Sequence, residues 1–356
     1  RNEQERALNL PSGIYEIPPL IQDKTFNLDG SLFYPTTVNV QDPPPDFPEV
    51  SITPEFTGDN IVVNGKVWPY FNVEQRKYRF RILNASNGRF YRMKLDSGQL
   101  FTQIGSDGGL LQRPVQLDEI TIGPAERVDI IIDFTNQAIN SSIILTNSAR
   151  TPFDFGAAPD PLTTGMIMKF NVISRRKEDT SSIPQFLNII KRYNECDAVR
   201  TRDITLDVSQ DRFNRLMFMF NKKSYMDGVE ENPILNDLEI WRIINSGLGV
   251  HPIHIHLVQF QILDRIPFDV DCYNLTEQII YTDEPSPPPV NERGWKDTVL
   301  AYPGQITRLI MRFGPFTGMY IFHCHILEHE DHDMMRPFDV SKRRYIQVKN
   351  NCCKKE

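Results

Sequence analysis

Short runs in which apolar and polar residues alternate recur along the whole chain, separated by turn residues. In the first half they read DNIVVNG (59–65), KYRFRIL (77–83), YRMKLD (91–96), RVDIIIDF (127–134), SIILTN (142–147) and MIMKFNV (166–172). Asn-Gly, Ser-Asn-Gly and Asp-Gly-Gly punctuate them. A second set follows: RDITLDV (202–208), EIWRIIN (239–245), IHLVQFQIL (255–263), QITRLIMRF (305–313) and MYIFHCH (319–325). Period-two alternation bounded by turn signals predicts strands, and this spacing suits Greek-key sandwiches. The expectation is an all-β chain with one β-sandwich over 1–172 and a second over 201–340. Residues 173–200 lack periodicity, carry SRRKEDTSS and read as a linker, while 341–356 form a basic tail.

Composition changes this picture little. A length of 356 residues fits two or three domains, and 40% hydrophobic with 24% charged residues is ordinary for a globular chain. No run of about 18 apolar residues occurs, so no membrane-spanning helix is expected. A net charge of −7 argues against a nucleic-acid partner. The five cysteines show no disulfide spacing. Cys352 and Cys353 fall in the tail, which reads as disordered.

Histidine changes it a great deal. All seven lie in two windows, HPIHIH (251–256) and HCHILEHEDHDMM (323–335), and residues 1–250 contain none. A thiolate, two imidazoles and a weak axial thioether form the ligand set of a blue copper centre. Cys324, His329 and Met334 supply three of those groups at steps of five residues. The second imidazole must come from the first window. Successive side chains of a strand point to opposite faces, so His323 and His325 share one face and Cys324 takes the other. His254 and His256 likewise share a face, with His251 out of phase. Side by side, the windows put His251, Cys324, His329 and Met334 on one side and His254, His256, His323 and His325 on the other. Zinc also takes Cys and His, but it needs neither the methionine nor eight convergent groups. Four imidazoles alone do not name a metal. Their covalent link through Cys324 to the thiolate site suits redox chemistry and serves no purpose in zinc hydrolysis.

These motifs resemble the third and fourth copper motifs of the multicopper oxidases, and among those the bacterial spore-coat laccases, which also oxidise bilirubin. NGKVWPY (64–70), RKYRFRILNAS (76–86), IGSDGGLL (104–111), PAERVDIIIDFT (124–135), GWKDT (294–298) and FGPFTG (313–318) extend the resemblance over about 1–340. It implies cupredoxin-like sandwiches, with His251, Cys324, His329 and Met334 holding a type 1 copper. It further implies His254 on a type 2 copper, and His256, His323 and His325 on a type 3 pair. Glu330 would assist proton delivery near the O₂ site, or be an ordinary loop carboxylate. The family carries two further His-x-His motifs in an N-terminal domain, and this chain has no histidine left for them. With Arg at position 1, the expectation is the C-terminal two-thirds of a larger oxidase. An N-terminal cupredoxin domain would then be the partner that completes the cluster.

The resemblance implies one-electron oxidation of phenols and related aromatics, with bilirubin a further candidate, coupled to reduction of O₂ to water. It also implies a spore-coat or cell-surface location. Two rivals stand beside this reading. A cuprous-ion oxidase would carry a Met-rich segment, whereas the ten methionines here are dispersed apart from Met217, Met219 and the pair Met334–Met335. A blue electron carrier or coat component would need only the type 1 set. The first sandwich, without His or Cys, reads as structural. DPPPDFP (42–48) and EPSPPPV (284–290) read as stiff surface loops, the second with a possible place at the edge of the substrate site. His332 reads as a solvent-facing loop residue. The three tryptophans and 22 phenylalanines read mostly as core, and the sequence does not choose which of them line a pocket.

Overall fold

The computed structural model describes residues 3–35, 44–48 and 53–343. The cysteines of the basic tail, Cys352 and Cys353, and the start of the first proline-rich loop lie outside these residues. Among the described residues the chain is all-β, with α-helix confined to Glu3–Ala7, Val270–Thr276 and Leu327–Asp331. Strands between Glu16 and Ile173 form a nine-stranded and a five-stranded sheet; strands between Arg200 and Val340 form a five-stranded and a four-stranded sheet. Residues 174–199 carry only a short 3₁₀ turn, Glu195–Asp197.

Each pair of sheets closes over its own apolar filling. Phe80, Ile82, Tyr91, Ile130 and Phe170 fill the first. Trp241, Ile253, Phe313, Phe322 and Phe338 fill the second, and that core continues into Phe90, Ala149 and Phe153 of the first sandwich. The two sandwiches therefore share buried surface. At their seam the Gly108 N–H donates to the Trp295 carbonyl at 2.8 Å. A Cβ on Gly108 would sit 2.5 Å from the Trp295 Cβ, so only glycine permits this approach.

The run read as one strand at 255–263 is broken. His251–Ile255 belongs to the four-stranded sheet and Phe260–Pro267 to the five-stranded one. Leu257, at φ 69°, turns the chain between the two sheets. Apolar alternation continues across the break because both segments face the same core, which is why periodicity alone did not find it.

Candidate metal centre

The strand His251–Ile255 pairs antiparallel with Gly318–Cys324, placing Ile253 opposite Cys324 and His254 opposite His323. This register puts His251 and Cys324 on the core face and His254 and His323 on the other. The chain then leaves the sheet through the one-turn helix Leu327–Asp331. Two backbone bonds close the loop: Met334 N–H donates to the His329 carbonyl at 2.9 Å, and Cys324 N–H to the Met334 carbonyl at 3.0 Å. Asp333, at φ 72°, turns the chain back. The five-residue steps seen in the sequence are the length of this closed loop.

The result is a buried triad. Cys324 Sγ lies 3.6 Å from His251 Nδ1 and 3.7 Å from His329 Nδ1, and the two Nδ1 atoms are 3.3 Å apart. One metal at ordinary metal–nitrogen and metal–sulfur bond lengths, centred in such a triangle, implies N–N and S–N edges of about 3.5 and 3.8 Å. The donor atoms therefore fit a single ion. Met334 is fully buried in the same core cluster. Burial pushes the Cys324 thiol well up and the His251 imidazole down to about 4. Burial, with the neighbouring His251, also holds His329 far below its usual range. Two imidazoles and one sulfur converging in a buried site are a donor set suited to a soft metal cation. The Phe218 ring stacks on His329 with centroids 3.8 Å apart.

On the other face, donor atoms of His254, His256 and His323 lie within 4.8 Å of one another. The Nε2 atoms of His256 and His323 are 3.2 Å apart. The Nδ1 of His254 is 2.8 Å from the Asp297 carbonyl, which leaves its Nε2 for a metal. Such an acceptor fixes the ring of a metal-binding histidine. Asp297 is gripped in turn by Arg127 of the first sandwich at 2.7 and 2.5 Å. His323 Nδ1 faces Glu330 Oε2 at 3.1 Å. His325 stands just outside this trio, its ring centroid 5.4 Å from His323 and 6.0 Å from His254, with a buried, unpartnered Nδ1.

A cavity of about 480 Å³ opens on the triad, with His251, His329 and Met334 in its wall. Its other walls come from both sandwiches: Glu55, Phe90 and Phe153 from the first, and Phe218, Leu248 and Ile326 from the second. The first sandwich is thus more than structural, a role for which the sequence carried no signal. None of the three tryptophans lines this cavity, and neither does the loop 284–290. His332 is not solvent-facing as expected. Its side chain is 11% exposed and its Nε2 lies 3.9 Å from Asp211.

Two separate regions, 199–344 and 33–168, match the multicopper oxidase family. A multicopper oxidase of rice (Oryza sativa subsp. japonica), LPR1 homolog 3, is 32% identical, with 95% of this chain covering 70% of that protein. The chain belongs to the multicopper oxidases. Family membership implies copper as the metal. A laccase of Bacillus subtilis (strain 168) is 48% identical over 339 residues, 95% of this chain and 65% of that laccase. This oxidase chain therefore spans just under two-thirds of the laccase's length. The crystal structure of the McoA multicopper oxidase 2F4 variant from Aquifex aeolicus superposes with a TM-score of 0.76 at 32% identity, over 96% of this chain and 70% of that one.

Proposed function

We propose that this chain is the substrate-oxidising and O₂-facing part of a laccase-type oxidase. Phenols or related aromatics would give up one electron at a time beside His329. His251, Cys324, His329 and Met334 would hold a type 1 copper. His254 would serve a type 2 copper, and His256, His323 and His325 half of a type 3 pair, with the remaining imidazoles coming from an N-terminal cupredoxin domain. Copper at these positions supplies the one-electron steps and the four-electron reduction of O₂. The protein's own contribution is placement and proton handling. Cys324 is bonded through the backbone to His323 and His325, which gives a short covalent path between the two faces. Glu330, 3.1 Å from His323 Nδ1, can hold a proton there. We extend the proposal to action in a spore coat or at a cell surface, on the resemblance of the motifs.

The observation that carries the reading is the buried Cys324–His251–His329 triangle, one residue from the histidines of the second face. The apolar cavity above it favours an aromatic substrate over a cuprous ion. The test is copper content, visible spectrum and O₂ uptake on a phenol, for the chain alone and joined to an N-terminal cupredoxin domain. A blue band in both, with O₂ uptake only in the joined form, is expected. A colourless copper-loaded chain would rule the reading out.

A further inference from the structure

The cavity over the triad carries an asymmetry of charge that the oxidase reading does not use. Its lining is mostly apolar, and among the described residues no lysine or arginine contributes to it. It does contain two carboxylates, Asp207 and Glu55. Asp207 is tied to the protein through one oxygen: its Oδ2 accepts hydrogen bonds from the Thr205 hydroxyl at 2.5 Å and the Lys222 N–H at 2.9 Å. Glu55 makes no hydrogen bond or ion pair with any described residue.

Its position is set from below. A Cβ on Gly88 would lie 2.8 Å from the Glu55 Cγ and 3.2 Å from its Oε1, so the carboxylate rests on a residue that has no side chain. The same Cβ would lie 3.4 Å from Ile326 Cγ2, which places the carboxylate beside the loop that presents His329. The buried cation whose charge acts on Glu55, Arg89, has its hydrogen bonds elsewhere. It donates to Asp23 at 2.8 Å, to the Gly58 carbonyl at 2.7 Å and to Thr151 at 2.9 Å. Burial, reinforced by the charge of Glu328, pushes Glu55 up to about 7. An acceptor left without a donor in an apolar wall is open to a ligand's donor.

We propose that Glu55 is the recognition residue of this cavity: its carboxylate accepts a hydrogen bond from the O–H or N–H of a neutral or cationic aromatic and repels anionic aromatics. The inference rests on the oxidase reading only for what happens after binding. Ring faces are taken by Phe90, Phe153 and Phe218, and the donor group is directed to Glu55. A carboxylate- or sulfonate-bearing aromatic would bring a second negative charge into a cavity without a cation, a like-charge cost that sets specificity as much as any attraction does. Bilirubin, which carries two carboxylates, is therefore a poor occupant, and a phenol or aromatic amine a good one.

The experiment is calorimetric binding of three probes to the metal-free chain: tyramine (cationic), 2-methoxyphenol (neutral) and 4-hydroxybenzenesulfonate (anionic). The expected order is tyramine, then 2-methoxyphenol, then the sulfonate, with tyramine at least tenfold ahead of the sulfonate. Glu55→Gln should shrink that preference at least fivefold. Leu248→Arg, at a residue 88% exposed on the cavity rim, should shrink it in the same direction without touching the core. Equal affinity for tyramine and the sulfonate, or a preference that Glu55→Gln leaves intact, would overturn the proposal. The expected binding order in a chain that forms no blue band with copper would uphold it and count against the oxidase reading alone.

Discussion

Glu55 shows at the scale of one residue what a functional group costs its fold. Its folded value of about 7 lies above the ordinary 4.5, with burial the main cause, Glu328 and Asp23 adding to it and Arg89 opposing. Between those two values the folded chain keeps a proton that the unfolded chain has lost. The neutral acid's contribution is full below pH 4.5 and is lost as pH rises through about 7. Above that, the wild type holds an ionised carboxylate in largely apolar surroundings, at a cost of about 3 kcal/mol. Glu55→Gln removes that cost. The variant is expected to melt above the wild type at pH 8, with the gap closing toward pH 5. Melting curves across that range check this, and parallel curves would mean that Glu55 is not buried as described. The same ionisation makes the carboxylate a better acceptor, so wild-type affinity for a phenol is expected to rise through pH 7 and that of Glu55→Gln to stay flat. A residue that destabilises its fold at working pH while lining a cavity has a use there.

At the scale of elements, the seam between the turn at 106–109 and the segment 294–298 is set by contact rather than by propensity. Gly108→Ala would drive a methyl group into the Trp295 backbone and Cβ, with approaches of 2.5 and 2.8 Å. The expected result is a loss of about 2–4 kcal/mol in denaturant unfolding and faster protease cleavage between the sandwiches; a neutral outcome would show that the seam can shift. The sequence already held the strand alternation, the two faces of the histidine windows and the all-β class, because period two is a local property that a twisted sheet preserves. It did not hold the break at Leu257, where a left-handed residue switches sheets without interrupting the apolar pattern. Nor did it hold the cavity, whose walls come from residues more than 200 positions apart. Glu55 in particular has no local signal: it is an acid between a proline and a phenylalanine, and only its packing against Gly88 and Ile326 gives it meaning.

At the scale of the whole molecule, one buried ionic cluster joins the copper-free sandwich to the copper-binding one. Lys296 of the second sandwich lies 2.9 Å from Asp107 and 3.0 Å from Glu126, both of the first. Burial works to lower Lys296 and pushes Glu126 up to about 7. With two carboxylates in contact, however, the ammonium is held above its ordinary range. Next in sequence, Arg127 grips Asp297, whose carbonyl faces His254. The contact that docks the sandwiches therefore also fixes a predicted copper ligand. Breaking a buried ion pair from one side costs about 3–5 kcal/mol, because the remaining charge is left unpaired, whereas replacing every member by neutral groups costs little. Lys296→Met should therefore lower unfolding stability by about that amount. Combining it with Asp107→Asn and Glu126→Gln should recover more than half of the loss. Denaturant unfolding of the single and triple variants at pH 7 decides the matter. If the triple variant is as weak as the single one, the sandwiches are held by the cluster's attraction; if it recovers, they are held by the shared apolar core, and the charges serve to set the register in which Asp297 meets His254.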